Sequence, residues 1–194
     1  MTYPITIVTA PVNEPVTVLD AKAQSRVDIT DDDDLIYAQI VAARELCELQ
    51  ARRAFVTQTL AVTLDAWPAN GIIELPRPPL QSVTSIKYTD EDGNQSTFAS
   101  SNYIVDTANN RVVLKSSATW PSDVLQRVAA ILVTFVAGYS TSADVPTIYK
   151  QAILLTIGHW YENREAVVVE RGVNIQELPI GVNRLLGIDR GGFF

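Results

Sequence analysis

The sequence predicts an α+β fold: a small antiparallel helical bundle with an inserted antiparallel β module and an extended C-terminal tail. Two regions of helical periodicity, 17–56 and 139–167, bracket the region 57–138, in which apolar and polar residues alternate. Asn70-Gly71 and Asp92-Gly93 supply turn signals within that alternating region. Beyond residue 167 the chain stays apolar but is interrupted by glycines and a proline. Strands bracketed by helices predict a two-layer protein.

Composition limits the classes of function. The chain has 194 residues, 47% of them apolar, which is enough for a sizeable core. Its net charge of -7 and the lack of a basic block argue against tight nucleic-acid binding. No apolar run reaches the roughly 18 residues of a membrane span, and the start lacks a signal-peptide pattern. We therefore expect a protein made in a cytoplasm, without membrane contact and, with Cys47 alone, without an internal disulfide.

The first 16 residues are predicted to form an extended N-terminal arm or an edge strand. Pro4, Pro11 and Pro15 interrupt any helix there, and an apolar Ile-Thr-Ile-Val run follows the first of them. Thr17 and Asp20 then have the spacing of a weak capping box. A short helix from about Val18 to Arg26 follows from that signal.

Four consecutive aspartates, Asp31–Asp34, precede the next helical pattern, which continues to about Arg53. An EF-hand calcium loop would need a glycine at its sixth position and a glutamate at its twelfth, and neither fits. Carboxylates at a helix N-terminus interact favourably with the macrodipole, as do arginines at the other end. The acidic run is therefore interpreted as a helix start.

The region 57–138 is predicted to be an antiparallel β module. Its segments are rich in valine, isoleucine, threonine and aromatic residues. Arg77–Leu80 and Trp120-Pro121 are interpreted as ordered corners, because prolines cannot donate to a central ladder. The predicted strands lie within 57–67, 71–76, 83–90, 96–106, 111–115 and 128–138.

A long helix is predicted from Asp144 to about Val167 and organises the rest of the fold. Asp144 is expected to cap it, with Pro146 in its first turn. Apolar residues on two stripes predict a helix that is buried on more than one side. The first stripe comprises Ile148, Ala152, Leu155 and His159, and the second comprises Ile153, Ile157 and Trp160.

The end of this helix is the first candidate site. We expect its side chains to serve in core packing or in contact with a neighbouring subunit, with a ring nitrogen of His159 hydrogen-bonded. The residues concerned are His159, Trp160, Tyr161, Glu162 and Arg164.

No catalytic or cofactor site is predicted. A typical zinc site takes about four cysteine and histidine ligands, whereas the chain has one of each. His159 and Glu162 lie one turn apart, but a di-iron site needs the reverse order and a second histidine. Neither a nucleophile elbow nor a phosphate-binding glycine motif is present. The competing enzyme hypothesis is a hydrolase with His159 as base and Ser140 or Ser142 as nucleophile.

Residues 168–194 allow two interpretations. The segment could fold back over its own core, with a short helix at Val182–Leu186. Alternatively, it is a docking arm, whose apolar anchors are ordered by the groove of a partner.

Several segments together resemble the gp6-like phage head–tail connector (adaptor) proteins of tailed phages, prophages and gene transfer agents. The resemblance covers almost the whole chain. Its most specific parts are LPRPPLQSV and the helix KQAILLTIGHWYENRE, supported by VTFVAGY and ELPIGVNRLL.

This resemblance implies a structural virion protein at the head–tail junction, assembled from the host cytoplasm. Further copies would form a ring, twelve-fold in the virion, beneath the portal protein. The ring would extend the DNA channel without specific DNA binding and would provide a platform for stopper or tail-completion proteins. The alternative is a cytoplasmic, non-catalytic β-rich binding module that dimerises through its helices. The positions that would dock to the portal are Glu177, Leu178, Pro179, Ile180, Gly181, Val182, Leu185, Leu186, Phe193 and Phe194.

Overall fold

The computed structural model describes residues 4–163 and 180–187 and confirms the α+β class. Within these residues no helix is long and apolar enough to cross a membrane. Helices and strands follow one another in the order expected from the change of period, with helices on both sides of the strand region. The elements are β1 (Ile5–Thr9), α1 (Val18–Ser25), α2 (Asp33–Ala51), β2 (Gln58–Leu64), β3 (Ile72–Glu74), β4 (Leu80–Thr89), β5 (Gln95–Phe98), β6 (Tyr103–Asp106), β7 (Arg111–Leu114), β8 (Ile131–Ala137), α3 (Thr147–Glu162) and α4 (Ile180–Gly187).

These elements form two compact units. The β unit contains β1 and Val56–Ser140, and the helical unit contains Asn13–Phe55 together with α3 and α4. The chain therefore passes from the β unit to the helical unit, returns to the β unit, and ends in the helical unit.

The larger sheet of the β unit has five antiparallel strands in the order β1-β2-β8-β4-β5. Strand β8 lies at its centre, and its alternate residues from Ile131 to Ala137 are fully buried. This is the period-2 burial that the sequence pattern predicts. Strand β1 lies at one edge and is exposed along its whole length.

A second, three-stranded sheet has the order β3-β7-β6. The prediction of one strand over 96–106 was wrong, because that stretch contributes β5 to the first sheet and β6 to the second. Between them Ser100–Asn102 forms a 3-10 turn, in which the Asn102 amide donates to the Ala99 carbonyl at 3.0 Å. Serine and asparagine favour such turns because their side chains compete with the strand ladder.

Aromatic side chains pack together in the β unit. The rings of Trp67 and Trp120 stack with centroids 4.6 Å apart, and Phe98 lies 5.6 and 5.3 Å from them. The Trp120 indole N–H also donates to the Pro68 carbonyl at 3.0 Å. The predicted Trp120-Pro121 corner is thus held by ring packing and by a satisfied indole donor.

The Arg77–Leu80 segment joins β3 to β4, as the prolines predict. Asn110, at a positive φ of 54°, holds both sides of this turn. Its carbonyl accepts from the Leu75 amide at 2.8 Å and its side-chain oxygen accepts from the Leu80 amide at 2.8 Å. Asparagine tolerates this left-handed conformation better than most residues.

Gly138 ends β8 at a φ of +108°. A Cβ at this position would overlap the backbone of Val56, whose neighbourhood is fixed by the bridge between Val56 and Tyr139. The Gly138 amide donates to the Pro79 carbonyl at 2.9 Å, and its carbonyl accepts from the Gln81 side chain at 2.7 Å. Only glycine fits such a position without backbone displacement.

The helical unit begins with α1, for which the predicted capping box is present. The Asp20 amide donates to the Thr17 hydroxyl oxygen at 3.1 Å, and the Thr17 amide donates to the Asp20 carboxylate at 2.9 Å. The Asp20 carboxylate accepts from both the amide and the hydroxyl of Thr17, and these two hydrogen bonds lower its pKa. The acidic run also behaves as predicted, because α2 begins at Asp33 with Asp33 and Asp34 in its first turn.

Helix α3 begins at Thr147 with Pro146 as its N-terminal flanking residue. The prediction that Asp144 caps this helix was wrong. The Asp144 carboxylate accepts instead from the amide and hydroxyl of Thr141, at 3.1 and 2.7 Å, and closes the preceding turn. Tyr149 is fully buried on α3 and stacks on Phe55 with centroids 4.4 Å apart.

Candidate docking and subunit-contact site

The C-terminal end of α3 lies at the surface rather than in the core. The residues buried on this helix are Tyr149, Ala152, Ile153, Thr156 and Ile157, which lie towards its start and middle. By contrast, His159 and Trp160 are half-buried and Glu162 is exposed. The two predicted stripes are buried only in part. Ala152, Ile153 and Ile157 are in the core. The other stripe residues, which are half-buried, are Ile148, Leu155, His159 and Trp160.

His159 contacts the residue that ends the helix. The Asn163 side chain donates to the His159 carbonyl at 2.9 Å and lies 3.3 Å from the His159 Nδ1 atom. The Asn163 amide donates to the same carbonyl at 3.0 Å. These contacts satisfy a carbonyl that the helix end would otherwise leave without a donor.

Tyr161 connects the end of α3 to the start of α2. Its hydroxyl donates to the Asp32 carboxylate at 2.6 Å, in the acidic run. The adjacent Asp33 accepts from Lys22 of α1 at 2.7 Å. Two of the four aspartates thus lie at the N-terminus of α2 and also bind side chains of the helices α1 and α3.

Helix α4 brings part of the predicted docking segment onto the helical unit. It packs against α3 and α2, with Val182 and Leu186 at 0% and 1% exposure. Leu185 is half-buried, whereas Gly181 is exposed. In this chain Val182 and Leu186 therefore serve internal packing, and Leu185 and Gly181 present the outer side of the helix.

The structure describes only part of the predicted docking set. The backbone of Ile180 begins α4. Outside the described residues lie Arg164, Glu177, Leu178, Pro179, Phe193 and Phe194.

A buried ionic cluster holds the N-terminal part of the helical unit. Arg44 of α2, 3% exposed, donates to the carboxylates of Glu14 at 2.8 Å and Glu48 at 3.0 Å. The other Glu48 oxygen accepts from the Phe55 amide at 2.6 Å. Burial raises the pKa of Glu14 despite its hydrogen bond to Arg44. Burial opposes the guanidinium charge, but the two carboxylates outweigh it and raise the pKa of Arg44.

The groups that could support metal or thiol chemistry are few in the described ranges. No cluster of three or more histidine, cysteine, aspartate or glutamate side chains with metal-binding geometry occurs there. Cys47 is buried, and this burial raises the pKa of its thiol to about 11. A thiol in such surroundings is protonated at neutral pH and therefore unreactive.

Three solved structures share this fold over nearly its whole length. A chain in the virion of a native gene transfer agent particle is 20% identical, with a TM-score of 0.74, and the match covers 95% of this chain and 93% of that one. A chain in the neck of an empty gene transfer agent particle, with C6 symmetry, is 21% identical, with a TM-score of 0.75 and coverage of 96% and 94%.

The third similar chain comes from the neck of a native gene transfer agent particle with C12 symmetry. It is 21% identical, with a TM-score of 0.70, and the match covers 97% of this chain and 94% of that one. No protein-family model matches the sequence. No curated protein matches it either. The three likenesses show that this chain and the three neck or virion chains have a common fold. The match extends over both units of this chain.

The ionic cluster was not anticipated from the sequence. Its only visible signal is the spacing of Arg44 and Glu48, four residues apart on a helix, which is equally typical of an exposed pair. Glu14 is 30 residues away from Arg44 in sequence, and nothing local indicates that contact.

Proposed function

We propose that the chain is a structural subunit of the neck of a phage-like particle and works as a head–tail connector. The observation that carries this proposal is the fold likeness, at TM-scores of 0.70 to 0.75, to chains from gene transfer agent necks and virions. Because the match includes both units, it is not a likeness of one common module.

Neck structures with C6 and C12 symmetry support a ring of copies of this chain. The proposed ring has twelve copies in the virion and surrounds a DNA channel. A net charge of -7 suits a channel that lets DNA pass without specific binding, since like charges repel. In this proposal the ring lies beneath the portal protein and offers its other side to stopper or tail-completion proteins. The protein binds no cofactor and acts by assembly.

We propose further that the segment from Glu177 to Leu186, with Phe193 and Phe194, docks to the portal. Within it, Leu185 and Gly181 face outward from α4, while Val182 and Leu186 fix the helix on the unit. The last turn of α3, from His159 to Glu162 with Arg164, is the proposed contact between subunits.

The role is tested by electron cryo-microscopy of particles from the source. We expect a ring of this chain's density directly below the portal, with the C-terminal segment adjoining it. Particles that carry tails but contain no copy of the protein would overturn the proposal. As a control, particles made after deletion of the gene should be filled heads without tails.

The docking segment is tested by two truncations. A chain ending at Gly187 retains the packed helix α4 but lacks Phe193 and Phe194. We expect it to fold normally and to give fewer tailed particles. A chain ending at Val167 also loses α4, which leaves the α3 surface that contacts Val182 and Leu186 uncovered, and so should be less stable as well. Normal yields of infectious or DNA-transferring particles from both truncations would contradict docking by this segment.

A further inference from the structure

Helix α2 has two apolar faces, and residues 4–163 and 180–187 bury only one of them. Its inner face packs in the helical unit, with Ile36, Ile40, Ala43, Cys47 and Ala51 buried. A second set of apolar residues follows the opposite side at intervals of three or four residues, which places them on one face of a helix. We define the outer α2 stripe as Leu35, Ala38, Ala42, Leu46 and Leu49.

The outer α2 stripe is not covered by the described part of the chain. Leu35 and Leu49 are 41% and 62% exposed, Ala38 and Ala42 are exposed, and Leu46 is half-buried. Single exposed leucines are ordinary, but a continuous apolar stripe along a helix indicates an interaction surface.

The spacing of the stripe is symmetric about Ala42. If a second copy of α2 is laid antiparallel, Leu35 of each helix faces Leu49 of the other. Ala38 faces Leu46, and Ala42 faces its own counterpart at the centre. Small residues at the centre allow the two axes to approach closely, and the leucines at the ends fill the space on either side.

The charges at the two ends of α2 favour the same antiparallel arrangement. Asp31 and Asp34 are exposed at its N-terminal end, and Arg52 is exposed where it ends. Antiparallel pairing brings each acidic end beside the arginine of the other copy and also opposes the two helix dipoles. Parallel pairing would place the aspartates of the two copies together.

We propose that two copies of this chain pair antiparallel through the outer α2 stripe and form an isologous dimer. A single pair of helices buries less surface than most stable interfaces, so the dimer is reversible. In an isologous contact the same surface of both copies is used, so the contact is complete in a pair. A ring with cyclic symmetry is closed by heterologous contacts instead. The pairing is therefore a second mode of association, independent of the proposed ring.

Cysteine cross-linking of the purified full chain tests the pairing. Ala42→Cys places a thiol on the two-fold axis, facing its own copy, while the buried Cys47 is silent under the same oxidant. The matched control, Tyr37→Cys, places an exposed thiol on the same helix but off the stripe. We expect covalent dimers from Ala42→Cys and only monomers from Tyr37→Cys and the unmodified protein. Absence of dimers from Ala42→Cys, or equal yields from both variants, would overturn the proposal.

The charge pairing is tested in the Ala42→Cys background. Arg52→Glu should lower the dimer yield about fivefold, the effect of exposed ion pairs worth about 1 kcal/mol. Arg127→Glu, which changes an exposed arginine of the β unit, should leave the yield unchanged. Adding Asp34→Arg to Arg52→Glu should restore the yield, because the charges are then complementary again. Equal yields from Arg52→Glu and Arg127→Glu would rule out the antiparallel orientation.

A further pair of cysteine variants would detect the competing arrangement, in which the outer α2 stripe of one copy contacts a different surface of the next. Leu19 is 79% exposed on α1, beside a groove lined by Ala23 and Val27. If Leu19→Cys of one copy links to Leu49→Cys of another while Ala42→Cys does not link to itself, the stripe contacts a neighbour heterologously and the dimer is refuted. This result would leave the connector proposal intact, since that proposal depends on the location of the protein in the particle.

Discussion

Replacement of Gly138 by alanine is expected to destabilise the β unit by about 3 kcal/mol or more. A left-handed conformation costs a non-glycine residue about 1 to 3 kcal/mol by itself. In addition, the new Cβ would overlap backbone atoms of Val56. These atoms cannot move aside as the end of a flexible side chain could. The hydrogen bonds from Gly138 to Pro79 and from Gln81 to Gly138 would be displaced together with it.

Gly93→Ala is the matched control for this substitution. Gly93 also has a positive φ, +86°, but no atom lies within 4 Å of the position that its Cβ would occupy. Only the backbone cost remains, about 1 to 3 kcal/mol. Urea unfolding is followed by tryptophan fluorescence, with Trp160 of α3 replaced by phenylalanine in both variants and in the reference protein. The signal then reports the β unit, since Trp67 and Trp120 stack within it. Equal losses from the two variants would show that the overlap with Val56 has no effect on stability.

Replacement of Glu48 by alanine is expected to cost the helical unit about 3 to 5 kcal/mol. Loss of one partner from a buried ion pair leaves the other charge uncompensated. In this case Arg44, at 3% exposure, would retain the half-buried Glu14 and the exposed Glu45, 3.6 Å away. The Phe55 amide would lose its acceptor. Phe55 stacks on Tyr149, so the damage would extend to the packing of α3.

Glu48→Gln separates the charge from the hydrogen bond. The amide oxygen of glutamine can still accept from the Phe55 amide, and the side chain has nearly the same volume. We expect this variant to lie between the original protein and Glu48→Ala in its free energy of unfolding. The measurement is urea unfolding followed by the circular dichroism of the helices. A loss below about 1 kcal/mol for Glu48→Ala would contradict a stabilising role, as for an exposed pair.

The regular elements were predictable because burial imposes a period on the sequence. The alternation in β8 and the helical spacing in α2 both reflect a single buried face, and the predicted elements follow it. The division into two sheets was not predictable in the same way. Ser100–Asn102 is a short polar turn between two segments of strand-like composition. Local sequence does not indicate that the strand after the turn, β6, pairs in a different sheet from the strand before it, β5.

The candidate site was less accessible from sequence. The apolar pattern of α3 predicts the burial of Ala152, Ile153 and Ile157 correctly. It also predicts burial of Leu155, which is half-buried, and it does not indicate that Tyr149 is buried. Asp144 precedes a helix at a suitable position, but its carboxylate is bound by Thr141 and does not cap the helix. Arg44 and Glu48 are buried although charged residues are usually exposed. They pair with each other, and Glu14 and the Phe55 amide satisfy their remaining polar atoms.

The path of the chain determines when each unit can form during synthesis. Strand β1 is synthesised first, but it pairs with β2, so Ile5 has no partner until Val62 has been made. Strand β2 in turn pairs with β8, which begins at residue 131. The helical unit likewise contains α1 and α2 early, but its α3 follows all the strands. Neither unit can be completed until most of the chain has left the ribosome. The nascent protein therefore holds apolar strands and helices unpaired for most of its synthesis, and such segments are prone to aggregate until their partners are made.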